Sequence, residues 1–140
     1  MNFRHLSISW SISRGRDTYG YNICRLDDNQ TGKRYRCMGG GYDMIGTVFG
    51  QWLEEQYQER LQALVATLPL FDCEYSVPGY RQSKELYGLT IRLDNTVSLD
   101  GACGIDCMRT IAKALGLDVQ WQGNRKGNTL GYYVCEKGEN

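Results

Sequence analysis

The chain has no surplus charge of either sign. Sixteen Lys and Arg balance sixteen Asp and Glu over 140 residues, and the isoelectric point lies near 6.6. That balance argues against the strongly basic composition with which a nucleic-acid binder gathers phosphates. It equally excludes the dense carboxylates of an acidic DNA mimic. Long apolar runs are also missing: none approaches the roughly 20 residues that cross a bilayer. The start, Met1-Asn2-Phe3-Arg4-His5, lacks the apolar region of a secretory signal. The expectation is a cytoplasmic protein with no membrane contact. Histidine is reduced to one, His5, and proline to two, Pro69 and Pro78. Cysteine, by contrast, is plentiful. Six stand at 24, 37, 73, 103, 107 and 135, and without a signal peptide they are expected as free thiols.

The strongest pattern lies between Cys37 and Leu68. After Cys-Met-Gly-Gly-Gly-Tyr-Asp, apolar residues recur at Ile45, Val48, Phe49, Trp52, Leu53, Tyr57, Leu61, Leu64, Val65 and Leu68. Steps of three and four place them on one stripe of a long helix over 43–68. Asp43 is suited to cap its start, and Pro69 ends it for want of an N–H.

Before this helix, Leu6, Ile8, Trp10 and Ile12 alternate with Ser7, Ser9, Ser11 and Ser13, the pattern of a half-buried strand. A turn at 14–17, a second strand near Tyr19–Leu26, a turn at 27–32 and a third strand over Lys33–Met38 complete an antiparallel meander. Beyond Pro69 a surface connection over 69–85 includes a short edge strand at Phe71, Cys73, Tyr75 and Val77. A strand follows at Leu86–Leu93, broken by Asp94-Asn95. A second helix over 100–115, capped by Ser98 or Asp100, turns Met108, Ile111, Ala112 and Leu115 inward, with Gly116 at its left-handed end. Strands Leu117–Gln122 and Thr129–Cys135 flank a six-residue hairpin loop. The predicted class is α+β: one domain of order β-β-β-α-(β)-β-α-β-β, its antiparallel sheet packed against one long and one shorter helix.

Several residue groups could carry chemistry. Gly39-Gly40-Gly41, with Tyr42 and Asp43, joins a strand to a helix N-terminus, where backbone N–H groups can hold an anion. Neither dinucleotide nor Walker spacing is present, and Asp43 competes for the same N–H groups. A tight turn beneath a close-packed helix explains the glycines as well. On the third strand Arg34 and Arg36 share one face, opposite Tyr35 and Cys37. With Arg14 and Arg16 in the first turn and Tyr19 and Tyr21 nearby, they could grip phosphates and stack bases. Zero net charge favours instead a solvated face paired with Asp17, Asp27 and Asp28, or a protein partner with an acidic patch.

Cys103 is placed near a helix N-terminus, a position that lowers a thiol pKa. A cysteine hydrolase also needs a base, and only His5 is on offer. Cys103 and Cys107 share a helical face but form a single ligand pair, short of a structural zinc site. Small apolar cysteines account for all six thiols equally well. No catalytic or metal-ligating residue and no cofactor is assigned. Ten tyrosines and three tryptophans exceed what the core can absorb, and exposed Tyr with Arg is the composition of a protein-binding surface.

Two stretches carry a family likeness. Ser-Arg-Gly-Arg-Asp-Thr-Tyr-Gly-Tyr-Asn-Ile-Cys-Arg-Leu at 13–26 and Arg-Cys-Met-Gly-Gly-Gly-Tyr-Asp-Met-Ile-Gly-Thr at 36–47, with Asp-Gly-Ala-Cys-Gly at 100–104, resemble small uncharacterised proteins encoded by tailed phages and prophages. The resemblance transfers no site residue. It implies a setting, a bacterial cell under infection, where compact α+β proteins often inhibit host defence, anti-CRISPR proteins among them. The expected function is a non-enzymatic accessory protein that binds and blocks a host protein, such as a defence-complex subunit. Its contact residues would be Arg14, Arg16, Arg34, Arg36, Gly39, Gly40, Gly41, Tyr42, Asp43, Arg125 and Lys126. A small nucleic-acid-binding module using the same Arg/Tyr face is the alternative. An enzyme with Cys103 as nucleophile, or with an anion at Gly39–Gly41, is the third reading.

Overall fold

The computed structural model describes residues 4–12, 22–39, 43–72, 81–83, 85–126 and 129–136. The amino-terminal meander forms as three strands, β1 (Arg4–Ile12), β2 (Asn22–Asp28) and β3 (Arg34–Gly39). The β2–β3 turn closes when the Asp28 N–H donates to the Lys33 carbonyl at 2.9 Å, with Gly32 at φ 75 supplying the left-handed residue. The carboxyl-terminal strands β8 (Leu117–Lys126) and β9 (Thr129–Glu136) return to this meander. β9 pairs with β1, giving a five-stranded antiparallel sheet of order β3-β2-β1-β9-β8.

A second sheet stands apart from the first, and here the single-sheet expectation is corrected. Its strands β4 (Leu70–Asp72), β5 (Arg81–Ser83), β6 (Leu89–Ile91) and β7 (Val97–Leu99) pair antiparallel in sequence order. β1 has β2 on one side and β9 on the other, and the strands from the middle of the chain pair with one another in a sheet of their own. The strand foreseen at Leu86–Leu93 shrinks to Leu89–Ile91, and the foreseen continuation over Cys73, Tyr75 and Val77 lies outside the described residues.

The long helix is also two. α1 (Asp43–Gln56) ends at Tyr57, whose φ −125, ψ 30 departs from helical values, and α2 (Gln58–Val65) follows. No proline or glycine breaks it; tertiary bonds hold the new direction. The Gln58 side chain accepts the Val97 N–H at 2.6 Å and donates to the Val97 carbonyl at 3.1 Å, tying α2 to β7. The foreseen 100–115 helix likewise begins as a 3-10 turn, Gly101–Cys103, capped by Asp100 accepting from the Ala102 N–H at 3.1 Å. Gly104, at φ 109, separates it from α3 (Ile105–Ala114). Gly116 takes the left-handed end, φ 83.

α1 is the shared wall between these parts. It packs on β2 and β3, on β7, on α3 and on the Gly101–Cys103 turn. Its crossing with that turn is made by glycines on both sides: a Cβ at Gly46 would stand 2.4 Å from the Gly101 oxygen, and one at Gly101 would stand 2.2 Å from the Gly46 oxygen. Trp52, Phe49, Leu53 and Val48 from α1 join Leu6, Ile8, Leu26, Leu61, Leu89, Met108, Ile111 and Leu117 in one continuous buried cluster spanning both sheets.

Among the described residues Asp28, Ser83 and Thr90 are buried polar groups, and Asp28 is the charged one. Asp28 is fully enclosed and accepts from Trp52 Nε1 at 2.9 Å and from the Gln30 and Thr31 amides at 3.0 and 3.4 Å. Burial alone would raise its pKa. The Trp52 bond, the two amides and the nearby Arg4 charge outweigh that and hold the carboxyl below its ordinary 3.8. Arg4 lies over the rings of Trp52 and Tyr57 at 6.0 and 5.8 Å, completing a tie between β1, the β2–β3 turn and the α1–α2 joint.

Candidate interaction face

α1 covers one face of the β2–β3 ladder, and strand alternation decides what the other face shows. On β1, Leu6 and Ile8 are buried, while His5, Ser7 and Ser9 point the other way and are only partly covered. On β2, Cys24, Leu26 and Asp28 point inward, leaving Ile23 (43% exposed), Arg25 and Asp27 outside. On β3, Tyr35 is buried and Cys37 packs on the core, while Arg34 and Arg36 are exposed.

Register then assembles the outer face into rows. Arg34, Asp27, Ser7 and Gly131 are successive partners across β3, β2, β1 and β9. The next row runs Arg36, Arg25, Ser9, Thr129 and Lys126, through all five strands.

The electrostatics are uneven. Asp27 serves two arginines, Arg34 Nε at 2.7 Å on one oxygen and Arg25 Nε at 3.2 Å on the other. Only the first has hydrogen-bond alignment; Arg25 Nε, itself buried, lacks a hydrogen-bond partner among the described residues. Both pairs lie at a partly solvated surface, where such bridges contribute about 0–1 kcal/mol. Arg25 and Arg36 face each other directly. The Asp28–Lys33 bond fixes the alternation so that Arg25–Arg36 is a non-hydrogen-bonded pair, the kind with the closer Cα approach. Like charges so placed destabilise a ladder by several tenths of a kcal/mol, on the order of the cross-strand pair energies.

No family model, curated protein or solved structure matches this chain. The residues must therefore speak for themselves.

Of the residues singled out in the sequence, the structure brings Arg34, Arg36 and Lys126 onto this sheet. Lys126 and Arg125 were expected at a hairpin tip; both instead belong to the end of β8, where the register shifts between Gln122 and Lys126. The strand extends because Lys126 still finds Thr129 as a partner. Gly39 closes β3 opposite Asn22, and Asp43 is the first residue of α1. Arg14, Arg16, Gly40, Gly41 and Tyr42 lie outside the described residues. Arg25 and Asp27 were missed as site residues. Their signal was available in the alternation Ile23, Arg25, Asp27, once the 27–32 turn fixes which residue of β3 each one meets.

The described cysteines, Cys24, Cys37, Cys103 and Cys107, are free thiols, as expected, but the placement of Cys103 on the second helix is corrected. Cys103 sits in the 3-10 turn, cut off from α3 by Gly104, and its Sγ donates to the Asp100 carbonyl at 3.0 Å. Partial burial, then the adjoining Cys107 and the Asp100 charge, push its pKa up to about 12. That is the reverse of an activated nucleophile. Cys107 donates to the Cys103 carbonyl at 3.4 Å. Among the described residues no three His, Cys, Asp or Glu side chains gather as a metal site, and no helix is long and apolar enough to cross a membrane.

Proposed function

We propose that this chain is a binding protein that acts by occupying a surface of a host protein, and that the β2–β3 side of the five-stranded face is its contact surface. The observation that carries the reading is the Arg25–Arg36 pair. Two guanidiniums are held opposite each other on the face turned away from α1, and among the described residues the one carboxylate beside them, Asp27, is already shared with Arg34. A fold that tolerates this repulsion has a use for the charge elsewhere, and an acidic patch on a partner relieves it. The family likeness supplies the setting: a phage or prophage accessory protein inhibiting a host defence component, in the manner of anti-CRISPR proteins.

The test is a double reversal, Arg25→Glu with Arg36→Glu, in protein used to capture its partner from the bacterial host. The pair is exposed enough that folding should survive, as circular dichroism and urea unfolding will report. Capture should fall by about tenfold or more, since charge-paired interface arginines commonly contribute over 1.4 kcal/mol. Unchanged capture by a folded variant removes this face from the contact.

The nucleic-acid reading has one observation of its own, the register that extends the Arg36–Arg25 row to Lys126. Against it stands Asp27, whose carboxylate would repel a phosphate chain laid along the same strands. A steep fall of oligonucleotide binding with salt would favour it, because released counterions set that slope.

A further inference from the structure

Each sheet end exposes a row of backbone N–H and C=O groups, and this molecule treats its ends differently. At β7, the outward groups are taken by helix side chains: Gln58 bonds both the N–H and the carbonyl of Val97, and Glu54 accepts the Leu99 N–H at 3.2 Å. At β8, Arg109 Nη2 reaches the Val119 carbonyl at 3.5 Å. β4 is only three residues long. β3 is six residues long, ends its sheet, keeps continuous register with β2 and contains no proline. The Asp28–Lys33 bond directs the backbone of Tyr35 and Cys37 toward β2 and that of Arg34 and Arg36 away from it. No described residue bonds those outward groups.

Along this edge, whose outward groups are unbonded among the described residues, the side chains of Lys33, Arg34 and Arg36 are cationic. Lys33 pairs with Glu55, and Arg34 shares Asp27 with Arg25. Arg36 is exposed and has no carboxylate partner among the described residues. From these placements we infer that the partner adds a strand to β3: an extended polypeptide segment with Asp or Glu at every second position. This deepens the binding reading above and rests on it. The spacing fits, because strand residues two apart lie roughly 7 Å apart, so alternating carboxylates match Arg34 and Arg36 in step. The chemistry favours polypeptide over nucleic acid. The edge offers donors and acceptors alternately, which another peptide backbone complements in full, whereas a phosphate chain supplies acceptors alone.

The probe is an acetylated ten-residue peptide alternating Glu with Val and Thr, tested against isotope-labelled full-length protein. Two controls share its composition: one N-methylated at the backbone groups that would face β3, and one with its glutamates regrouped at one end. The alternating peptide should slow hydrogen exchange at the Arg34 and Arg36 amides by about tenfold or more at saturation. Each N-methyl group removes one hydrogen bond and should weaken binding roughly fivefold. Arg36→Glu should weaken it about tenfold, and a lysine-for-glutamate peptide should then bind that variant better.

Absence of binding, indifference to N-methylation, or protection appearing only at Ser9 and Arg25 would overturn the inference. An oligonucleotide that protects the same two amides better than the peptide would overturn its choice of partner. The two proposals fail separately. If the captured host protein depends on Arg25 and Arg36 yet leaves the edge amides exchanging freely, the face is right and the added strand is wrong.

Discussion

Two glycines one turn apart on α1 make opposite demands, and a single methyl group distinguishes them. Gly46 and Gly50 are both enclosed in the same helix. Replacing either by alanine gains about 1 kcal/mol of helix propensity. At Gly46 the new Cβ would meet the Gly101 oxygen at 2.4 Å, the Gly104 carbonyl carbon at 2.7 Å and the Ile105 nitrogen at 2.9 Å, all backbone. A carbon–oxygen contact settles near 3.3–3.6 Å, so helix and turn must separate by about 1 Å. Overpacking of this kind costs about 1–3 kcal/mol, and rigid atoms on both sides put it at the upper end. The expected net effect of Gly46→Ala is a loss of about 2 kcal/mol.

At Gly50 the nearest atom is the Met108 sulfur at 3.0 Å, the mobile part of a flexible chain, with the Gly101 Cα at 3.6 Å. Met108 yields by a rotamer adjustment, so Gly50→Ala should lie within about 1 kcal/mol of wild type and on either side of it. Urea unfolding followed by far-ultraviolet circular dichroism measures both. For a chain of this length, 2 kcal/mol corresponds to a melting shift of roughly 4–8 °C. Gly101→Ala should cost as much as Gly46→Ala, and the double variant less than the sum, because one displacement of the crossing accommodates both methyls. Equal stability of Gly46→Ala and Gly50→Ala would refute the backbone-to-backbone crossing.

Trp52→Phe keeps an aromatic side chain but removes the pyrrole ring with the N–H that bonds Asp28; the lost bond should cost about 1–3 kcal/mol in urea unfolding at pH 7, and the cavity left in the core adds to it. Asp28 also sets an acid limit. Its folded pKa lies below the ordinary 3.8, so its stabilising contribution is complete above that value and disappears as pH falls through the folded one. The stability gap between wild type and Asp28→Asn should therefore narrow below about pH 3.8, and a gap independent of pH would contradict the assignment. Thiol labelling gives a third check. Cys24 and Cys103 are both pushed up to about 12, by burial first, so at pH 8 an alkylating reagent should react with them far more slowly in folded protein than in urea. Rapid folded-state labelling of Cys103 would favour the nucleophile reading.

Much of the fold was legible where local pattern and tertiary structure agree. The alternation of Leu6 and Ile8 with serines gave β1, the Asp28–Gly32 turn joined β2 to β3, and Met108, Ile111, Ala112 and Leu115 all lie inward as spaced. The α1–α2 break was not legible, because Leu61, Leu64 and Val65 continue the helical stripe across Tyr57. What holds the new direction includes Gln58 bonding Val97, thirty-nine positions away. The second sheet escaped for a related reason: three-residue strands are too short to show a period, and β7 reads as a helix cap from Ser98 and Asp100 alone. On the candidate face, Arg34 and Arg36 followed from alternation within one strand. Arg25 needed the pairing of two strands, which only the closed turn reveals.

The edge of β3, unbonded among the described residues, also bears on how copies of this chain meet one another. Two molecules pairing edge to edge would form a two-fold contact, each presenting the same strand to the other. Antiparallel pairing would then bring Arg34 and Arg36 of one copy beside those of the next, four guanidiniums along one seam. At low ionic strength that repulsion keeps the copies apart and solubilises an edge that would otherwise template aggregation. Salt weakens the guard, since screening over a Debye length of about 10 Å at 0.1 M acts on exposed charges first. Raising salt should thus push the protein toward self-association while loosening its hold on an acidic strand, two opposite responses from the same pair of side chains.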